Sequence, residues 1–120
     1  MTEEKKYVFT IKDITPVPLT DKVNTRFLLG DNVLLSFIEQ PPGAEFPIHA
    51  HDCEQILIIL EGTEEHIVDG RTIHMKAGDV CVHPANVPHG GRTPTGFKGI
   101  DIFSPPRQDY VERIKQYQKK

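Results

Sequence analysis

Ten prolines spread through 120 residues, with short apolar segments set between turn residues at close intervals, constrain this chain more than any other feature. Proline fixes φ and lacks an amide donor, so long helices are not expected before Pro106. Short apolar runs at this spacing are what an all-β sandwich or barrel requires. Expected strands are Tyr7–Ile11, Arg26–Leu29, Val33–Glu39, Gln55–Leu60, Glu65–Val68, Arg71–Met75, Val80–His83 and Phe97–Phe103. Between them Gly30-Asp31-Asn32, Pro41-Pro42-Gly43, Asp69-Gly70, Ala77-Gly78-Asp79 and Gly90-Gly91 are expected turns or loops. Asp69-Gly70 favours the type I′ turn that matches strand twist, which predicts a hairpin there. After Pro106, Tyr110, Val111, Ile114 and Tyr117 fall at helical spacing, so one short C-terminal helix over Arg107–Gln118 is expected to pack on the barrel.

A chain of 120 residues has room for one compact core and is too short for two ordinary domains. With 38% hydrophobic and 26% charged residues it groups with soluble globular proteins rather than disordered or membrane-bound ones. The net charge of −3 is spread along the chain and forms no basic patch, so no nucleic-acid partner is expected; Lys119 and Lys120 read as a solvated tail. The longest apolar run, Ile56–Leu60, is far too short to cross a bilayer, and Met1–Tyr7 is charged where a signal peptide is apolar. The expected location is the cytoplasm, with no membrane partner. Cys53 and Cys81 can form at most one bridge, which does not make a disulfide framework.

His49 and His51 stand two residues apart in a segment expected to be extended, so both side chains point to one face. Pro47 stiffens the approach, and Pro41-Pro42-Gly43 turns the strand in. Gln55, four residues after His51, shares that face if the strand runs on or turns back beside itself. The apolar run after Gln55 suits a strand buried on both faces, which would hold the amide deep in the protein. His89, beyond Pro84 and Pro88, reaches the same centre only if Val80–His83 lies near the first pair. Three imidazoles and an amide oxygen suit a borderline cation such as Zn, Ni, Mn or Fe, whereas Ca and Mg prefer oxygen ligands. The alternative for an HxH pair alone is two polar residues on a wet strand face.

These residues carry a family pattern. Gly43 to Gly62 resembles the first cupin motif: Gly, five residues, HxH, three residues, usually Glu, six residues, Gly. Gly78 to His89 resembles the second, with Pro84 and His89 in register. The resemblance implies an all-β, single-domain cupin over residues 1–120, a double-stranded β-helix or jelly-roll barrel, with motifs at about 43–62 and 78–93 and a short C-terminal helix at about 107–118. It also implies one divalent transition metal held by His49, His51, Gln55 and His89. Cupins are commonly dimers, which implies a homodimer, and Tyr7–Ile11 could pair across its interface. Two positions depart from the motif: Gln55 replaces the usual Glu, and Asn86 the usual Gly. Asn tolerates a left-handed turn, so the second change leaves the loop intact.

The first change alters the chemistry. Three neutral imidazoles and an amide leave the cation's formal charge at about +2, which favours Lewis-acid chemistry on an anionic substrate. Oxygen activation by Fe(II) more often uses a site with a carboxylate. If Ile100 and Ile102 face outward, Asp101 and Phe103 look into the barrel, where a carboxylate is costly unless it is paired, metal-facing or catalytic. Arg107, after Ser104-Pro105-Pro106, can fold over the mouth and offer a fork to a carboxylate; an exposed helix start is the ordinary alternative.

Gln55, the run Pro84 to Gly90, and Asp101, Phe103, Arg107 together resemble the KdgF-type pectin-degradation cupins. That resemblance implies opening of 4,5-unsaturated monouronates to a linear keto-deoxyuronate, with Asp101, Phe103 and Arg107 as functional residues and a small anionic sugar as partner. The other readings are an iron or nickel dioxygenase of an enol or flavonol, and a non-catalytic sugar- or metal-binding module. His66, His74 and His83 lie off the ligand spacing and are expected to be satisfied or surface histidines. Cys53 is expected to be buried as a small hydrophobe, and Glu54 to face away from the metal.

Overall fold

The computed structural model describes residues 6–118. Along them run β1 (Val17–Pro18), β2 (Asn24–Leu29), β3 (Leu34–Gln40), β4 (Ala44–His49), β5 (Glu54–Val68), β6 (Arg71–Lys76), β7 (Val80–His83), β8 (His89–Thr93), β9 (Phe97–Ser104) and the helix α1 (Gln108–Gln118). All pairings are antiparallel, in the order β1-β2-β3-β9-β5-β8-β4, with β6 and β7 also on β5. The sheet curls on itself into a half-barrel, and α1 packs Tyr110, Ile114 and Tyr117 onto one end. No helix among the described residues is long and apolar enough to cross a membrane.

Gln55–Leu60 and Glu65–Val68, expected as two strands, are one strand of 15 residues. Its first part, Glu54 to Gly62, pairs with β9, and β7 covers Gln55 to Ile58 on the other side. Its second part pairs with β6 and β8. The transfer falls at Gly62, where φ is +84° and a Cβ would lie 2.0 Å from the Gly96 carbonyl oxygen. Only glycine allows both the bend and the close approach, so the ladder continues through the polar stretch between the two expected strands.

Burial on β5 alternates. Gln55, Leu57 and Ile59 are buried, Ile56 and Ile58 are half-buried, and Leu60 is exposed. The expected burial on both faces is therefore corrected, because an antiparallel sheet of this kind packs a core on one face only. Tyr7–Ile11 is also corrected: residues 6–10 form no regular element, and Ile11–Asp13 is a single 3-10 turn. An apolar stretch needs a partner ladder to become a strand, and β1 takes the edge of β2. Gly90-Gly91 is not a turn but the middle of β8. A Cβ at Gly90 would lie 2.9 Å from the Phe46 carbonyl oxygen, and one at Gly91 2.9 Å from Glu64 Oε2, so these glycines serve close packing.

The hairpin at Asp69-Gly70 forms as expected, with φ of 51° and 75°, both positive as a type I′ turn requires. Asn86 takes the left-handed conformation at φ 66°. One core cluster gathers Val23, Ile38, Ala44, Leu57, Ile59, Met75 and Phe97; a second, beneath α1, gathers Val17, Phe27, Leu34, Cys53 and Phe103. Gly62→Ala is expected to lower the unfolding free energy by roughly 2–4 kcal/mol in a denaturant titration. Gly70→Ala, with open space around its Cβ, is expected to cost only about 1–2 kcal/mol.

Candidate metal centre

β4 ends on His49, β8 begins on His89, and the two are register partners. His51 follows in the loop into β5, and Gln55 is the second residue of β5. The fold thus gathers three side chains from three strands and a fourth from the loop between β4 and β5. Ring centroids lie 4.4 Å apart for His49 and His89, 4.8 Å for His51 and His89, and 5.6 Å for His49 and His51.

Their hydrogen bonds decide which nitrogens face inward. Nδ1 of His49, His51 and His89 each lies 2.9 Å from a backbone carbonyl oxygen, of Pro47, Cys53 and Val87 respectively. A carbonyl only accepts, so each Nδ1 donates its proton outward and each Nε2 presents a lone pair. Gln55 Nε2 donates to Asp101 Oδ1 at 2.7 Å, which turns Gln55 Oε1 toward the rings, 3.0 Å from Nε2 of both His51 and His89. Four acceptors therefore converge on one point. Burial, aided by the neighbouring His83, His49 and His51, pushes His89 down to about 3, and burial also lowers His49. Lone pairs facing one another without a shared proton repel, and a cation among them removes the repulsion. The donor set fits one borderline divalent cation.

Asp101, in the middle of β9, points inward and is 9% exposed. Burial raises its carboxyl to about 6; the bond from Gln55 opposes this, and nearby Glu64 adds to it. Phe103 is buried and stands edge-on to His51 and to Tyr110, at centroid distances of 5.8 and 5.4 Å. Arg107 is not the exposed helix start that was the ordinary alternative. Its guanidinium lies 4.0 Å over the Tyr110 ring and pairs through Nε and one Nη with Asp109, at 2.7 and 2.9 Å. His49, Gln55, Asp101, Phe103 and Arg107 line a single cavity, with His51 and His89 packed against His49 at its edge. Cys53 is buried and Glu54 exposed, as expected.

Several cavity residues escaped the sequence reading. Gln40 closes the inward series Leu34, Ser36, Ile38, Gln40 on β3, and its buried Oε1 has no hydrogen-bond partner. Strand parity alone would have found it. Glu64 and His66 line the same cavity from the far part of β5, invisible while that part was read as a separate strand. His66 and His83 are buried and hydrogen-bonded, and His74 is exposed, as satisfied and surface histidines are.

Residues 36–103 match the cupin-domain family, more than half of the chain. The chain belongs to the cupin family. This cupin is similar to the pectin degradation protein KdgF of Dickeya dadantii, 29% identical over 107 residues that cover 86% of this chain and 97% of the relative. It is also 33% identical over 65 residues to the dimethylsulfoniopropionate lyase DddQ of Ruegeria pomeroyi, covering 53% of this chain but only 32% of the lyase. The chain thus spans about a third of that relative's length. Among solved structures, an RmlC-like cupin from Shewanella frigidimarina superposes with a TM-score of 0.81 at 30% identity, covering 92% of this chain and 99% of that one.

Because Asp101 holds the Gln55 amide nitrogen, Asp101→Ala is expected to weaken metal binding about 10–100-fold. Competition against a chromophoric chelator measures this. An unchanged affinity would show that the amide does not ligate.

Proposed function

We propose that this cupin is a metal-dependent enzyme that opens 4,5-unsaturated monouronates to a linear keto-deoxyuronate. The observation that carries the reading is Asp101: a buried carboxyl raised to about 6, bonded to the amide of Gln55, in a cavity with Arg107 at its mouth. A carboxyl in that range both gives and takes a proton near neutral pH. The similarity to KdgF over most of both chains supports a pectin-derived acid as substrate.

The reaction is an isomerisation. The anomeric hydroxyl loses its proton, the bond from C1 to the ring oxygen breaks to leave an aldehyde, and the enolate that departs is protonated on C4 to give the ketone. A bound divalent cation supplies a Lewis acid whose charge the neutral ligands do not offset. Asp101 accepts the hydroxyl proton and returns one to carbon, so protons balance. Arg107 offers the Nη edge not engaged by Asp109 to the substrate carboxylate. Phe103 and Tyr110 form the apolar wall that holds the ring and excludes water. Gln40 Oε1 stands ready to accept from a sugar hydroxyl.

Metal-loaded protein is expected to abolish the ultraviolet absorbance of the unsaturated uronate. Asp101→Asn keeps an acceptor for Gln55 and so keeps the metal, but is expected to lower kcat by about 10²–10⁴-fold. Arg107→Ala is expected to raise KM more than it lowers kcat. Persistent absorbance with metal occupancy verified would sink the reading, and tight uronate binding without turnover would assign a binding module instead.

A further inference from the structure

A second group of donors lies behind the first. His66 and His83 are 4% and 0% exposed, and their Nε2 atoms face each other at 2.5 Å. His83 Nδ1 donates to the Gln55 carbonyl oxygen at 3.0 Å, so its Nε2 is a lone pair. His66 Nδ1 donates to Glu64 Oε1 at 2.7 Å. Both rings thus spend their outer protons on fixed acceptors, one of them a carboxylate, as metal-bound imidazoles do. Cys81 Sγ completes the group, with its sulfur and the two ring donors within 4.8 Å of one another.

We propose that His66 Nε2, His83 Nε2 and Cys81 Sγ form a second metal site, for a borderline divalent cation of the Zn(II) or Co(II) kind, separate from the His49, His51, Gln55 and His89 centre. Two ring nitrogens this close share either a proton or a metal ion between them. A thiolate and two imidazoles are the ligands Zn(II) prefers. A tetrahedral ion at ~2.0–2.1 Å sets two nitrogens ~3.3 Å apart, so the rings must separate by less than about 1 Å. Cys81 and His83 both sit on β7, which among the described residues pairs with β5 on one side only. Glu64 and His66 line the cavity, which gives the ion a route in and leaves its fourth position toward the substrate space. Gln55 joins the two sites, its amide oxygen at the first and its backbone carbonyl on His83, whose ring lies 4.4 Å from that of His89.

The first centre has no sulfur, so a thiolate-to-cobalt charge-transfer band reports the second site alone. This readout is independent of uronate turnover. Titration of the metal-stripped full chain with Co(II) is expected to fill two equivalents, one of them bringing the near-ultraviolet band, which Zn(II) then bleaches. Cys81→Ser is expected to remove the band and one equivalent while circular dichroism stays unchanged; His49→Ala is expected to leave the band in place. A wild-type chain that saturates at one equivalent without the band overturns the proposal, even if the variants fail to fold. A band that survives Cys81→Ser overturns it too, because the sulfur would then be Cys53.

Discussion

The hydrogen-bond ladder of β5 is the constraint on which the rest depends. Its first part holds β9 and β7, its second part holds β8 and β6, and β8 in turn holds β4. Because one continuous strand belongs to both parts of the curled sheet, their inner faces keep a fixed separation. Gln55 near its start and Glu64 and His66 near its end look into one interior.

That interior is polar. Gln55, Glu64, His66, His83, His89 and Asp101 are all buried. Desolvation of so many polar groups costs more than it returns unless each finds a partner. They find one another: Asp101 takes the Gln55 amide, Glu64 takes His66, and the Gln55 carbonyl takes His83. The two apolar clusters on either side of this network supply the burial that offsets its cost. What remains without a partner among the described buried side-chain atoms points inward, namely Gln40 Oε1. Unsatisfied donors and acceptors in a cavity are where a ligand gains most, because binding removes a penalty the fold already carries.

Much of this was legible in the chain. Proline spacing excluded long helices, Asp69-Gly70 specified its hairpin, and period-two parity put Asp101 and Phe103 on the inner face of β9. Parity failed where backbone geometry was set by a distant neighbour. Gly90-Gly91 carries the composition of a turn, but Phe46 and Glu64 crowd it into a strand. Tyr7–Ile11 carries the composition of a strand, but residues 6–10 take no regular element.

The sequence by itself determined which residue types stand at which spacing: the HxH pair, a neutral amide four residues on, and a later histidine after two prolines. Those are local facts, since periodicity and turn chemistry act over a few residues. Only the tertiary structure decided which lone pairs meet. The tautomer of each histidine follows from a backbone carbonyl two residues away, but the rotation of Gln55 follows from a carboxylate 46 positions later. The meeting of His66, Cys81 and His83 follows from strand register between β5 and β7. Hydrogen-bond partners and register are properties of the closed sheet, and no single segment of the chain contains them.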